Sequence, residues 1–132
     1  MVQGCYCTLL RKATRKLTSI YDDALAPVGV NIAQFSLLRN VERGEPVSLT
    51  ELGQRIELDR STVGRNVKVL IKSGLIASSK GKDQREAMLV LTDNGRRVLA
   101  DGDSLWEAVQ SKVEQVLGSN GIKELHALLQ AI

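Results

Sequence analysis

The residues best suited to chemistry fall in one stretch. Between Arg60 and Glu86 the sequence carries Arg60, Arg65, Lys68, Lys72, Lys80, Lys82 and Arg85, with Arg55 just before them, against two acids, Asp83 and Glu86. The whole chain has 18 Lys and Arg against 15 Asp and Glu, a net charge of +3, so the excess matters because it is clustered. A basic stripe of this kind is an electrostatic footprint for phosphate. On a helical wheel of about 100° per residue, Val63, Val67 and Leu70 define an inner face. Ser61, Thr62, Arg65, Lys68, Val69 and Lys72 then point outward, on a face that is polar, basic and free of acids. Such a face suits the major groove of a duplex. Arg65 has the fork that pairs with guanine O6 and N7, Ser61 and Thr62 at the helix start reach phosphate or a base edge, and Asn66 on the flank reaches either. The alternative is an ordinary solvated helix face.

A second cluster follows. Lys80, Gly81, Lys82, Asp83, Gln84 and Arg85 set three cations and one acid at the tip of an expected hairpin, where a guanidinium can enter the minor groove. Asp83 repels phosphate, and its expected role is to pair with an Arg and hold the shape of the loop. The alternative is a polar turn. The third feature is the pair Cys5 and Cys7, the only cysteines. They give no disulfide framework, and both are expected to be reduced in a cytoplasmic protein. Arg11, four residues after Cys7 on the same helix face, favours the reactive thiolate. If both cysteines lie on a helix, their side chains point about 200° apart, so a bridge between subunits is easier than one within the chain. The alternative makes Cys7 a small buried hydrophobe and Cys5 a frayed terminal residue. His126 stands alone, and neither a nucleophile with its base nor a phosphate-cradling glycine loop is evident. No enzyme activity, cofactor or metal is expected.

These clusters need elements to position them. The sequence has 132 residues, enough for one domain that buries about two-thirds of the surface of its unfolded chain without disulfide or metal. The four aromatic residues are Tyr6, Tyr21, Phe35 and Trp106, so the core must be aliphatic. Apolar positions between Cys5 and Leu25 recur every three to four residues, which predicts a long amphipathic helix ending at Pro27 and Gly29. Asn31 with Gln34 forms a capping box for a second helix to about Arg43. Ser48 with Glu51 starts a two-turn helix. Asp59 is expected to cap the helix bearing the basic face, whose buried residues are Val63, Val67, Leu70 and Ile71, with Gly74 at its end. A hairpin spans Leu75 to Leu91. Thr92 caps a long helix to about Leu117, and a Gly118 to Gly121 break precedes a last helix. No stretch is apolar enough to span a membrane, and no leader is apparent at the N-terminus.

The order is helix, helix, short helix, helix, hairpin, long helix, helix: a mainly α fold with a small β-hairpin wing (α+β), a winged helix-turn-helix with a helical region around it. The run "LTELGQRIELDRSTVGRNVKVLIKSGLI", then "SSKGKDQREAMLVLTDNGRRVL", resembles the MarR family of bacterial transcription regulators. The resemblance lies in the helix-turn-helix, the Asp-x-Arg wing (Asp83 and Arg85) and the Leu-Thr-x-x-Gly entry into the next helix (Leu91, Thr92, Gly95). "LAPVGVNIAQFSLL", from Leu25 to Leu38, matches the family's junction between first and second helices.

The resemblance implies one domain over 1–132, with a DNA-binding lobe over 30–91 and a helical dimerisation region over 1–29 and 92–132. It implies a homodimer whose two recognition helices read major grooves about 34 Å apart in a pseudopalindromic operator of double-stranded DNA. Regulators of this kind are released by a small-molecule effector in a crevice, for which Tyr21, Phe35 and Trp106 are the candidates here, or by cysteine oxidation. In the OhrR-type peroxide sensors of the family the reactive cysteine falls in register with Cys7. Of the two tyrosines that bond its thiolate there, one matches Tyr21 and the other is replaced by Arg11. The expected function is a sequence-specific repressor. Competing readings are an architectural, weakly specific DNA binder and a winged protein-interaction module without DNA binding.

Overall fold

The computed structural model describes residues 4–80 and 86–132, except for the side chain of Lys80. Helix α1 (Tyr6–Leu25) leads through a 3-10 turn (Ala26–Val28) into α2 (Ile32–Gly44). Strand β1 (Val47–Ser48), α3 (Leu49–Ile56), α4 (Arg60–Lys72), β2 (Ile76–Lys80), β3 (Ala87–Leu91) and α5 (Asp93–Ala131) follow.

Local chemistry sets most of these boundaries. Asn31 accepts from the Gln34 amide at 2.8 Å while Gln34 Oε1 accepts from the Asn31 amide at 2.9 Å, the reciprocal box that the sequence predicts. Ser48 accepts from the Glu51 amide at 3.1 Å to start α3. Thr92 accepts from the Gly95 amide at 3.0 Å to start α5, and its hydroxyl donates to the Gly74 carbonyl at 2.6 Å. Gly95 is required because a Cβ there would run into the Leu75 carbonyl, which gives the Leu-Thr-x-x-Gly entry a steric reason.

Other expectations need correction. Asp59 holds the N-cap position of α4, and its carbonyl accepts from the Val63 amide at 3.1 Å, but its carboxylate makes no capping bond and instead accepts from the Ser61 hydroxyl at 2.7 Å. Ile71, expected inside, is 38% exposed. The break in the last helix is narrower than Gly118 to Gly121, since Gly118 alone leaves helical geometry within α5, with φ 70° and ψ 170°. The hairpin is also not alone. β1 pairs antiparallel with β3 (Val47 with Leu89), giving a three-stranded sheet in the order β1-β3-β2. Two residues at β1 are too few to leave an alternating pattern in the sequence.

One core joins Leu25, Phe35, Leu38 and Val41 to Leu52, Val63, Val67 and Leu70 of the helix-turn-helix, Ile76, Leu89 and Leu91 of the sheet, and Leu99 of α5. Helices α1 and α5 pack on each other, yet much of their apolar surface is left open: Tyr6, Leu9, Ile20, Leu125, Leu129 and Ile132 are each about half exposed or more. Among the described residues no helix is long and apolar enough to cross a membrane.

Candidate nucleic-acid interface

The turn between α3 and α4 is set by Glu57 in the left-handed conformation (φ 56°), with its amide bonded to the Gln54 carbonyl. This turn aims α4 outward. Val63, Val67 and Leu70 anchor its inner face, each at 2% exposure or less. Ser61, Arg65, Asn66, Lys68 and Lys72 are exposed on the remainder, and Thr62 is half-buried. The wheel derived from sequence therefore matches the face that α4 presents.

Among the described residues two cations are in ion pairs, both of them outside α4. Arg39 is paired with Glu42 at 2.8 Å and with Asp103, and Arg96 with Glu45. The Arg55 guanidinium donates to the Asn40 carbonyl at 3.0 Å, closing the end of α2, so it belongs to the scaffold and not to the basic face. Among the described residues, Arg60, Arg65, Lys68 and Lys72 take part in no ion pair. Arg65 donates to Thr62 Oγ1 at 3.3 Å, which steers its fork along the helix and leaves most of its N–H groups open. Asp59, just before α4, has its carboxyl held below its ordinary value by the Thr62 and Ser61 hydroxyls, with a smaller contribution from Arg65. Arg65, Lys68 and Lys72 share one solvated face that carries no acid, a surface complementary to phosphate, while Arg60 lies about 140° from Arg65 on the wheel, toward α3.

The wing rises from β2 and β3 beside this helix. Its base is tied down by Thr50, whose hydroxyl donates to Glu86 at 2.5 Å, and by Glu45, which accepts from the Leu91 amide at 2.9 Å. Neither tie was legible in the sequence, because each joins residues far apart in the chain. Lys82, Asp83 and Arg85 lie outside the described residues, as does the side chain of Lys80.

A concavity lies between α2 and α5. A cavity of about 610 Å³ is lined by Ile32, Phe35, Arg39, Asn40, Arg43 and Trp106, among others. Phe35 and Trp106 both line it, with the Arg39 guanidinium 5.6 Å from the centre of the Phe35 ring. Tyr21 does not line it. Its hydroxyl donates to Gln110 Oε1 at 2.5 Å, and its pKa is raised by burial and then by Glu114.

The cysteines differ from expectation too. Both are free and exposed in the single chain, so Cys7 is no buried hydrophobe here. Cys5 is the N-cap residue of α1 (φ −77°, ψ 126°) and stands outside the helix, so the 200° separation argued for two helical cysteines does not describe this pair. Its thiol is pulled below the ordinary value by the Thr8 amide and then the Thr8 hydroxyl. The spacing of a cap residue to the third helical position was the available signal. Tyr21 is 14 residues beyond Cys7 on the same helix, roughly 21 Å along the axis. Contact between them requires two subunits. Among the described residues no three His, Cys, Asp or Glu side chains are grouped to hold a metal.

Comparison with known proteins agrees with this geometry. A family model described as MarR family matches residues 28–86. The DNA complex of the Mycobacterium tuberculosis transcriptional regulator MosR superposes with a TM-score of 0.85 at 34% identity, covering 97% of this chain and 96% of that one. The transcriptional regulator TcaR of Staphylococcus aureus is 26% identical over 106 residues, 78% of this chain and 70% of that protein. The organic hydroperoxide resistance regulator of Bacillus subtilis is 26% identical over 90 residues, 67% of this chain and 61% of that protein.

Proposed function

Because the chain belongs to the MarR family and is a DNA-binding transcription regulator, we propose that it acts as a homodimeric repressor that reads a pseudopalindromic operator and lets go of it on a chemical signal. The observation that carries this reading is the outward face of α4, where Arg65, Lys68 and Lys72 lie exposed together and take part in no ion pair among the described residues. Arg65 reads a base edge. Ser61, Thr62, Asn66, Lys68 and Lys72 hold phosphate or flanking edges, and Lys80, Lys82 and Arg85 of the wing, with Asp83 fixing its loop, reach the neighbouring minor groove. The open apolar surface of α1 and α5 supports pairing of two subunits through residues 1–29 and 92–132. The protein works in the cytoplasm and catalyses no reaction; its relatives are regulators.

Two signals have structural support. The cavity beside Phe35 and Trp106 is within the size range of small-molecule sites, so an effector seated there would bear on both α2 and α5. The second is oxidation. Cys7 and Cys5 are exposed, so either thiolate can meet a hydroperoxide, which is reduced to the alcohol as the thiolate becomes a sulfenic acid. Arg11 and Tyr21 are the neighbours to test.

The test is a fluorescence-anisotropy titration against the DNA upstream of the protein's own gene, with a scrambled duplex as control. It is repeated after organic hydroperoxide and again after dithiothreitol. Tight binding to the first duplex alone is expected. Equal affinity for the scrambled duplex, with a steep salt slope, would replace this reading with that of an architectural binder. Loss on oxidation with recovery on reduction identifies the thiol signal; indifference to peroxide directs the search to the cavity.

A further inference from the structure

The inference concerns Val69 and rests on α4 being the helix that reads bases. Val69 is 51% exposed on a face otherwise formed by Ser61, Arg65, Lys68 and Lys72. A β-branched residue half open to water at this position gains little from packing, and its helix propensity is below that of the Lys or Arg beside it. The backbone around it is well held. The Val69 carbonyl accepts from the Ser73 hydroxyl at 2.8 Å and from the Ser73 amide at 3.0 Å, so the side chain projects from a closed last turn.

Its placement beside Arg65 is specific. Residues four apart are neighbours on a helix surface, so Val69 adjoins Arg65. On the wheel Lys68 and Lys72 fall to one side of Arg65, while Val69 and Thr62 fall to the other. The cationic flank suits one phosphate backbone. Val69 is thus set away from that backbone, beside the base edge that Arg65 meets. The major groove offers one apolar feature at its base edges, the C5 methyl of thymine.

We propose that Val69 reads a thymine methyl in each half-site. Four residues advance about 6 Å along the helix axis, a little under two base steps of about 3.4 Å. The thymine therefore lies one or two base pairs from the guanine opposite Arg65. Removing a methyl contact of this size weakens binding about fourfold.

The experiment uses the full chain and a duplex that it selects from a randomised pool. Each thymine is replaced in turn by deoxyuridine, which deletes the methyl and keeps the pairing edge. Affinity is then read by anisotropy at one salt concentration for wild type and for Val69→Ala. Because Val69 is exposed and Ala is the better helix former, the variant keeps its fold. The expected result is a loss of about fourfold at one thymine in each half-site for the wild type and none at that position for Val69→Ala. Two results would overturn the assignment: no thymine is sensitive in the wild type, or Val69→Ala keeps the same sensitivity. Failure of the wild type to enrich any sequence is a different outcome, and it removes the reading of α4 on which the assignment stands.

Discussion

Glu45 joins three elements through one carboxylate, and replacing it separates the contributions. It follows α2 as its C-cap; one carboxylate oxygen accepts from the Leu91 amide at 2.9 Å, and the other is paired with Arg96. The Glu45 side chain is 18% exposed and that of Arg96 48%. A shielded bond from a backbone amide to a carboxylate contributes about 1.5–3 kcal/mol, whereas a half-exposed ion pair contributes no more than about 1 kcal/mol. Glu45→Ala loses both and strands the Leu91 amide at the end of β3, so the expected destabilisation is about 2–4 kcal/mol. Glu45→Gln keeps an acceptor for Leu91 and loses only the charge, at about 1 kcal/mol, and Arg96→Ala costs no more than that. Urea unfolding at a fixed protomer concentration ranks the three, since dimerisation would otherwise shift the midpoints. The pH dependence follows from the same bonds. Burial pushes the Glu45 carboxyl up, but the Leu91 amide and Arg96 together hold it below its ordinary value of 4.5. Its contribution is therefore complete above about pH 4.5 and is lost as pH falls through the lower folded value, so the gap between wild type and Glu45→Gln should close in acid. If Glu45→Gln were as damaging as Glu45→Ala, or Arg96→Ala equalled it, the ion pair and not the amide bond would hold the base of the wing, and the reasoning would be wrong.

Gly102→Ala places a methyl against the buried Phe35 ring. Helix propensity favours Ala by about 1 kcal/mol, but overpacking costs about 1–3 kcal/mol, so a net loss is expected in thermal unfolding; a more stable variant would mean that the ring yields into the adjacent cavity. Arg65→Ala should relax base preference at one position of each half-site by about 1–3 kcal/mol of discrimination, measured on single-substitution duplexes. A uniform loss across sequences would reassign Arg65 to phosphate. Cys7→Ser and Cys5→Ser should each leave DNA affinity unchanged, and whichever abolishes release by hydroperoxide identifies the sensing thiol; release that survives in both would end the oxidation hypothesis.

What the sequence carried most clearly was local. Asn31 with Gln34, Ser48 with Glu51, and Thr92 with Gly95 are three-residue relations, and each helix start falls where its cap sits. The apolar period of α4 was equally legible because Val63, Val67 and Leu70 meet one core. The hidden features are those in which another group competes for a partner. Asp59 had the right type and position to cap α4, yet the Ser61 hydroxyl occupies its carboxylate. Tyr21 had the right type for an aromatic crevice, yet Gln110 of α5 takes its hydroxyl away from Phe35 and Trp106. The cations make the same point for function. Arg55 and Arg65 are indistinguishable by composition, being ten residues apart in one basic stretch. Only the fold sets Arg55 against the end of α2, where its charge serves a backbone carbonyl, and leaves Arg65 facing solvent with no carboxylate bonded to it among the described residues. Counting basic residues locates the stretch, but the group each side chain is bonded to separates Arg55 from Arg65. By that criterion, replacing Arg55 should lower stability with little change in the salt slope of DNA binding, while replacing Lys68 or Lys72 should reduce the slope by about one each with stability unchanged.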